Sequence, residues 1–197
     1  GPLELMKLAG AEASRFLAKP DPNRAGLLIF GADTMRVALK RQEAILALIG
    51  PDGEAEMRLT RIQAADLRKD AALLNDATRA VGFFPGPRVA FVEDATDGLS
   101  ATLEAALKDW RPGDAQIVVT AANLTGKSTL KNLFEKHLNA TAIALYDNPP
   151  NREEIESELA KAGLLHLDCM TASGRTLGEE LEEIRGEADG RRTIAFM

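Results

Sequence analysis

A chain of 197 residues with a net charge of −6 has room for one substantial domain and a small appendage. Its 45% hydrophobic and 27% charged residues exclude a disordered or fibrous chain, and no apolar run approaches the roughly 20 residues of a membrane helix. The acidic balance, with no basic stripe, argues against direct nucleic-acid binding, because phosphate neutralisation supplies most non-specific affinity.

Aromatic residues make up 5% of the chain, so the core must be built mainly from Leu, Ile, Val and Ala. The single cysteine, Cys169, excludes an internal disulfide and fits a reducing, cytoplasmic compartment as a buried, inert thiol. Gly1 to Leu5 read as a cleavage scar left by expression, with Met6 as the natural start.

Along the chain, short β-like runs alternate with amphipathic helical segments, the pattern of an α/β fold with a largely parallel sheet. The apolar run 26–30, ending at Gly31, predicts a buried first strand. Asp33 is placed to cap the next helix, whose apolar positions are Val37, Leu39, Ala44, Ile45, Leu48 and Ile49. Residues 57–62 alternate as a second strand, and 64–81 read as a helix broken near Asp70, with Leu73, Ala77, Ala80 and Phe84 along one face. Pro85-Gly86-Pro87 ends that segment. A central strand is expected at 89–92, a helix at 99–110, a strand at 117–119, a helix at 128–138 and a last strand at 141–145.

The character then changes. Asn148-Pro149-Pro150 reads as a linker, and Asn151 with Glu154 forms a variant capping box. Two domains are therefore expected, an α/β domain over 1–147 and a small helical domain over 148–197 that is too short for an independent core. Its clustered glutamates, Glu153 to Glu158 and Glu179 to Glu183, read as solvated helix faces.

One stretch imitates an enzyme. Ala121 to Ser128, with Gly126, Lys127 and Ser128 at its end, fits a relaxed phosphate-loop pattern between a strand and a helix. The run 142–147, ending at Asp147, could supply a magnesium aspartate. Against this, cradling a phosphate normally takes more than one glycine. The loop also follows a late strand, and about fifty residues remain beyond Asp147, too few to complete a separate nucleotide fold. The turn after the first strand, where a phosphate loop belongs, keeps Gly31 but lacks Gly-Lys-Ser/Thr, and Asp33 would repel a phosphate there. Glu93-Asp94 read as a strand-end cap and turn, and His137 and His166 have no metal-like spacing. No catalytic residue, metal or cofactor is expected.

A nucleotide-domain scaffold without its phosphate loop resembles the delta subunit of the bacterial DNA polymerase III clamp loader, of alphaproteobacterial type. The residues that carry the resemblance are Lys19-Pro20-Asp21-Pro22, the run from Leu27 to Asp33, Gly82 to Val89, Val92 to Ala95, Ser128 to Glu135, and Ala142 to Asp147. It implies an AAA+/RecA-like parallel-sheet domain with helices on both faces, then a helical lid-like domain, with a collar domain beyond this chain. The implied function is non-catalytic: binding and opening the beta sliding clamp, with DNA met only indirectly and other loader subunits joined through the collar.

The clamp-binding tip then falls on Gly82, Phe83, Phe84 and Pro85. Adjacent aromatics at a helix end point about 100° apart, and the apolar stripe continues onto Phe84, leaving Phe83 off it. In an unknown domain such a pair is ordinarily core packing; the resemblance reverses that. Two alternatives stand beside this reading: a small NTPase using Gly126, Lys127 and Ser128, and an ATPase-derived interaction module with another partner.

Overall fold

The computed structural model describes residues 7–8 and 10–146. The chain divides into two units, Gly1–Asp147 and Asn148–Met197. The expected helical lid, the expected capping box at Asn151 and Glu154, His166, Cys169, the glutamate clusters, Asp147 and residues 1–5, read above as a scar, all lie outside the described residues.

Strand β2 (Gly26–Gly31) is buried at all six positions, the run expected of a strand covered on both faces. Its neighbours are β6 (Ala140–Leu145) on one side and β5 (Gln116–Ala121) on the other, both buried throughout. Beyond β5 come β4 (Val89–Ala95) and the edge strand β3 (Leu59–Gln63); β1 (Lys7–Leu8) adds a two-residue strand at the far edge. The order is β1-β6-β2-β5-β4-β3, and every pairing is parallel. Parallel neighbours need crossovers, and here helices supply them.

The direction of each crossover decides which face its helix covers, because such connections are right-handed. The step from β2 to β3 runs toward one edge, and the steps through β4 and β5 to β6 run back. Accordingly α1 (Gly10–Ala18) and α2 (Thr34–Ile49) pack with Leu27, Ile29, Phe91, Val118 and Ile143 on one face. Against Leu28, Phe30, Val92 and Ile117 on the other face lie α3 (Ala64–Lys69), α4 (Ala72–Arg79), α5 (Ser100–Asp109) and α6 (Thr129–Lys136). Successive residues of β2 thus divide between two cores, as the pleat requires. This is an α/β fold with a parallel sheet and helices on both faces.

Local differences from the expected elements have physical causes. The second strand starts at Leu59 rather than at 57, because residues 51–57 form turns in which Met57 takes a φ of 58°. The helix over 64–81 is broken as expected: Asp70 leaves the helical region at φ −143° and its carboxylate accepts from the Ala72 N–H. That break resets the helical phase, so α4 buries Leu74, Ala77 and Thr78, and ends at Arg79. The expected stripe of Leu73, Ala77, Ala80 and Phe84 is therefore corrected; Ala80 and Phe84 are exposed.

Candidate functional site

Residues 80–88 form the link from α4 to β4, and 80–87 are all exposed. Within it Val81 is 92%, Phe83 97% and Phe84 45% exposed. Gly82 has open space around it, so nothing crowds the turn into the aromatic pair, and Pro85 follows directly. The base of the loop is held firmly. Arg58, buried just before β3, donates from Nη1 to the Pro87 carbonyl at 2.9 Å and to the Ile49 carbonyl at 2.8 Å. Arg88 Nη2 reaches the Gly113 carbonyl at 3.1 Å. Gly86 sits at φ 132°, and a Cβ there would meet Arg58 Nη1 at 3.3 Å. The four expected tip residues therefore project from an anchored base. Arg58 was not found from sequence, since an arginine just before a strand carries no signal that it will turn inward.

The two helix starts that could hold a phosphate are each occupied by a carboxylate. After β2, a Cβ on Gly31 would lie 2.6 Å from the Leu145 carbonyl oxygen, so this glycine serves the close approach of β6. Asp33 caps α2, its carboxylate accepting from the Arg36 N–H at 3.1 Å. After β5, Ser128 caps α6, accepting from the Lys131 N–H at 3.1 Å. The same hydroxyl donates to Asp97 Oδ1 at 2.5 Å, and that oxygen also accepts from the Leu130 N–H at 3.1 Å. These bonds, the one from Ser128 first, hold the Asp97 carboxyl below the usual carboxylate range. The N-terminus of α6 thus already holds an anion from the chain itself, and the Ser128 hydroxyl is committed. Gly126 and Lys127 are exposed, and no second glycine joins them in a cradle.

At the other end of β4 the expected strand-end cap and turn at Glu93-Asp94 is corrected. The strand runs on to Ala95, with its pairing to β5 shifting between Val92 and Ala95. Asp94 takes a φ of 61° within this irregularity, and its N–H faces Thr120 Oγ1 at 3.4 Å. Glu93 pairs with Arg61 at 2.9 Å. Beside them a cleft of about 190 Å³ opens between α2 and the ends of β4 and β5, lined by Thr34, Val37, Arg41, Phe91, Asp94 and Thr120 among others. The Arg41 guanidinium lies 4.9 Å from the centre of the Phe91 ring, and that of Arg61 lies 5.3 Å from it. Burial, then the neighbouring Arg61 charge, pushes Arg41 below its ordinary value.

His137 is a local turn acceptor, its Nδ1 taking the Asn139 N–H at 3.1 Å. Among the described residues, no group of three His, Cys, Asp or Glu side chains could hold a metal ion, and no helix is long and apolar enough to cross a membrane.

No family model matches the chain. Local similarity is found to the dihydroxy-acid dehydratase of Dinoroseobacter shibae, 59% identical over 34 residues, which are 17% of this chain and 6% of that protein. A dihydroxy-acid dehydratase of Solidesulfovibrio magneticus is 64% identical over 31 residues, 16% of this chain and 6% of that protein. The chain therefore spans about 6% of the length of the curated relatives it matches. These findings correct the expected membership in the clamp-loader delta family, and the assignment to DNA replication falls with it. Several of the segments behind that resemblance have local structural causes here: Gly31 admits β6, Asp33 caps α2, and the Pro87 carbonyl accepts from Arg58. Their order follows the scaffold and does not establish a family.

Proposed function

We propose that this chain is a non-catalytic, protein-binding module that docks through the aromatic loop between α4 and β4. The observation that carries the reading is Phe83, 97% exposed beside Val81 and Phe84 on a loop whose base is hydrogen-bonded in place. A large side chain that fills a partner's pocket can carry much of a binding energy, and burying Phe83 in an apolar pocket is worth about 1.5–3 kcal/mol. An AAA+-like origin for the scaffold is supported by the strand order, in which β2 lies between β5 and β6. The turn after β2 lies at the carboxyl edge of such a sheet, where ligands normally bind. In this chain Asp33 stands there. Commitment of Ser128 to Asp97 weighs against the alternative of nucleotide hydrolysis at Lys127.

The test is binding of the full chain to a candidate partner by surface plasmon resonance, with the Phe83→Ala/Phe84→Ala double variant alongside. A ring-shaped sliding clamp, the partner expected from the sequence, is the first probe. Saturable binding that the folded double variant loses supports both partner and site. Binding that survives the double variant sinks the loop as the docking element, and no binding removes the clamp as partner. The dehydratase matches are too short to bring that activity to this chain, and no dehydration step is proposed.

A further inference from the structure

The cleft at the carboxyl ends of β4 and β5 is unrelated to the aromatic loop. The two lie at opposite ends of β4, whose seven residues span about 20 Å at ~3.3 Å per residue. Open parallel sheets bind ligands at this edge, where the connections of neighbouring strands leave to opposite faces. Here β2 and β5 are such neighbours, since α2 and α6 lie on opposite faces.

Three features of the cleft are not explained by folding alone. Arg41 Nε is buried and has no hydrogen-bond acceptor among the described residues, although an unmet buried donor is costly. Among those residues no carboxylate lies within ion-pair distance of Arg41; Glu93, which could have served, is paired with Arg61 instead. Glu93 and Glu54 act on Arg41 only at longer range, and Arg61 opposes them. The third feature is Asp94, a non-glycine residue at φ 61° on the cleft wall. Backbone held in that region clusters at ligand sites, although Asp tolerates it better than most residues.

We propose that this cleft binds a small organic oxyanion, its carboxylate or phosphate taken by the Arg41 guanidinium and a hydroxyl on the same molecule facing Asp94. The chemistry follows from the lining. The Arg41 guanidinium lies over the Phe91 ring at 4.9 Å, and its planar fork of donors suits a two-point contact with an oxyanion. Val37, Ala38, Ala121 and Ala122 offer a short apolar wall, and Thr34 and Thr120 bring hydroxyls. The Asp94 carboxylate disfavours a bare inorganic anion and favours a molecule that brings a donor to it. At about 190 Å³ the cleft falls below the ~300 Å³ at which drug-sized ligands begin, so the occupant has only a few carbon atoms.

The experiment is an NMR titration of the full 197-residue chain, following the Arg41 Nε–H and the Asp94 and Ala38 amides. Three probes with a three-carbon skeleton are used: lactate, glycerol phosphate and neutral propanediol. A saturable shift at these positions with lactate or glycerol phosphate, and none with propanediol, is expected, and the responding probe identifies the oxyanion. Silence toward both anions overturns the proposal, as does an equal response to propanediol. Arg41→Gln is expected to abolish the saturable shifts at Asp94 and Ala38, and their survival would also overturn it. Because Arg41→Gln uncovers Phe91, the comparison of probes on the unaltered chain stands on its own.

Discussion

Arg58 holds the carbonyls of Pro87 and Ile49 on a single nitrogen, Nη1, at 2.9 and 2.8 Å. One buried guanidinium thus joins the base of the aromatic loop to the C-terminal turn of α2. Its remaining donors, Nε and Nη2, meet Glu56 Oε1 at 3.0 and 2.8 Å. The Ile49 carbonyl belongs to the last turn of α2, where a helix has no partners of its own to offer. Side chain, loop and helix end are satisfied together, and the loop tip is left to face solvent.

Replacing Arg58 by Met keeps the apolar stem and removes every donor. Hydrogen bonds to charged groups contribute about 1.5–3 kcal/mol each and are not additive, so a loss of about 2–3 kcal/mol is expected by urea denaturation. The amides of residues 80–87 should exchange faster even under conditions where the protein stays folded. Unchanged exchange in that loop would show that the prolines, and not Arg58, fix it.

Phe83 and Phe91 should separate binding from folding. Phe83 is 97% exposed and Phe91 1%. Phe83→Ala is expected to change stability by no more than about 0.5 kcal/mol, while Phe91→Ala removes a core side chain and should cost about 3–5 kcal/mol. The second variant also removes the ring over which Arg41 and Arg61 lie. A large destabilisation by Phe83→Ala would mean that this residue packs against the domain, and the docking proposal would fail.

Most of the parallel sheet was legible, because buried strands write themselves as continuous apolar runs. The runs at 26–31, 117–119 and 141–145 are each covered on both faces. The edges were less so. α1 and the two residues of β1 were not anticipated from a stretch in which alanine and charge alternate without a strong period. At Glu93 and Asp94 the sequence suggested a turn, and the chain instead continued the strand through an irregularity. The role of Asp97 was also out of reach. It lies 31 residues from Ser128, and only the tertiary fold brings the two together. The same limit hid Arg41, whose setting depends on β3, β4 and α2 meeting.

Two glycines distinguish a structural role from a nucleotide loop. A Cβ on Gly31 would come 2.6 Å from the Leu145 backbone oxygen and 3.1 Å from its Cβ, contacts that neither strand can relieve cheaply. Gly31→Ala should destabilise by about 1–3 kcal/mol, as overpacking generally does. A Cβ on Gly126 meets nothing within 4 Å, and its φ is not in the left-handed region. Gly126→Ala is therefore expected to be neutral or to stabilise by up to about 1 kcal/mol, as read by thermal unfolding. Strong destabilisation by Gly126→Ala would show that the loop from Thr125 to Ser128 is built more tightly than this.

Asp97 should make the start of α6 sensitive to acid. Its carboxyl is held below the ordinary value of 3.8 by the Ser128 hydroxyl and the Leu130 N–H. A group whose folded pKa is depressed contributes stability above its unfolded value and loses it as the pH falls through the folded one. The unfolded value is about 3.9, so the contribution is complete at neutral pH, begins to decline near pH 4 and is gone below the folded value. Asp97→Asn keeps an oxygen that can accept from Ser128 but removes the charge that favours the helix start. The variant should be less stable than the parent at pH 7, and the gap should close on acidification through this window. Denaturation curves of both proteins at pH 7, 5, 4 and 3 would follow it. The carboxylate is exposed, so added salt should narrow the gap at neutral pH. A difference that stayed constant down to pH 3 would place the effect in the geometry of the Ser128 hydrogen bond and not in the charge of Asp97.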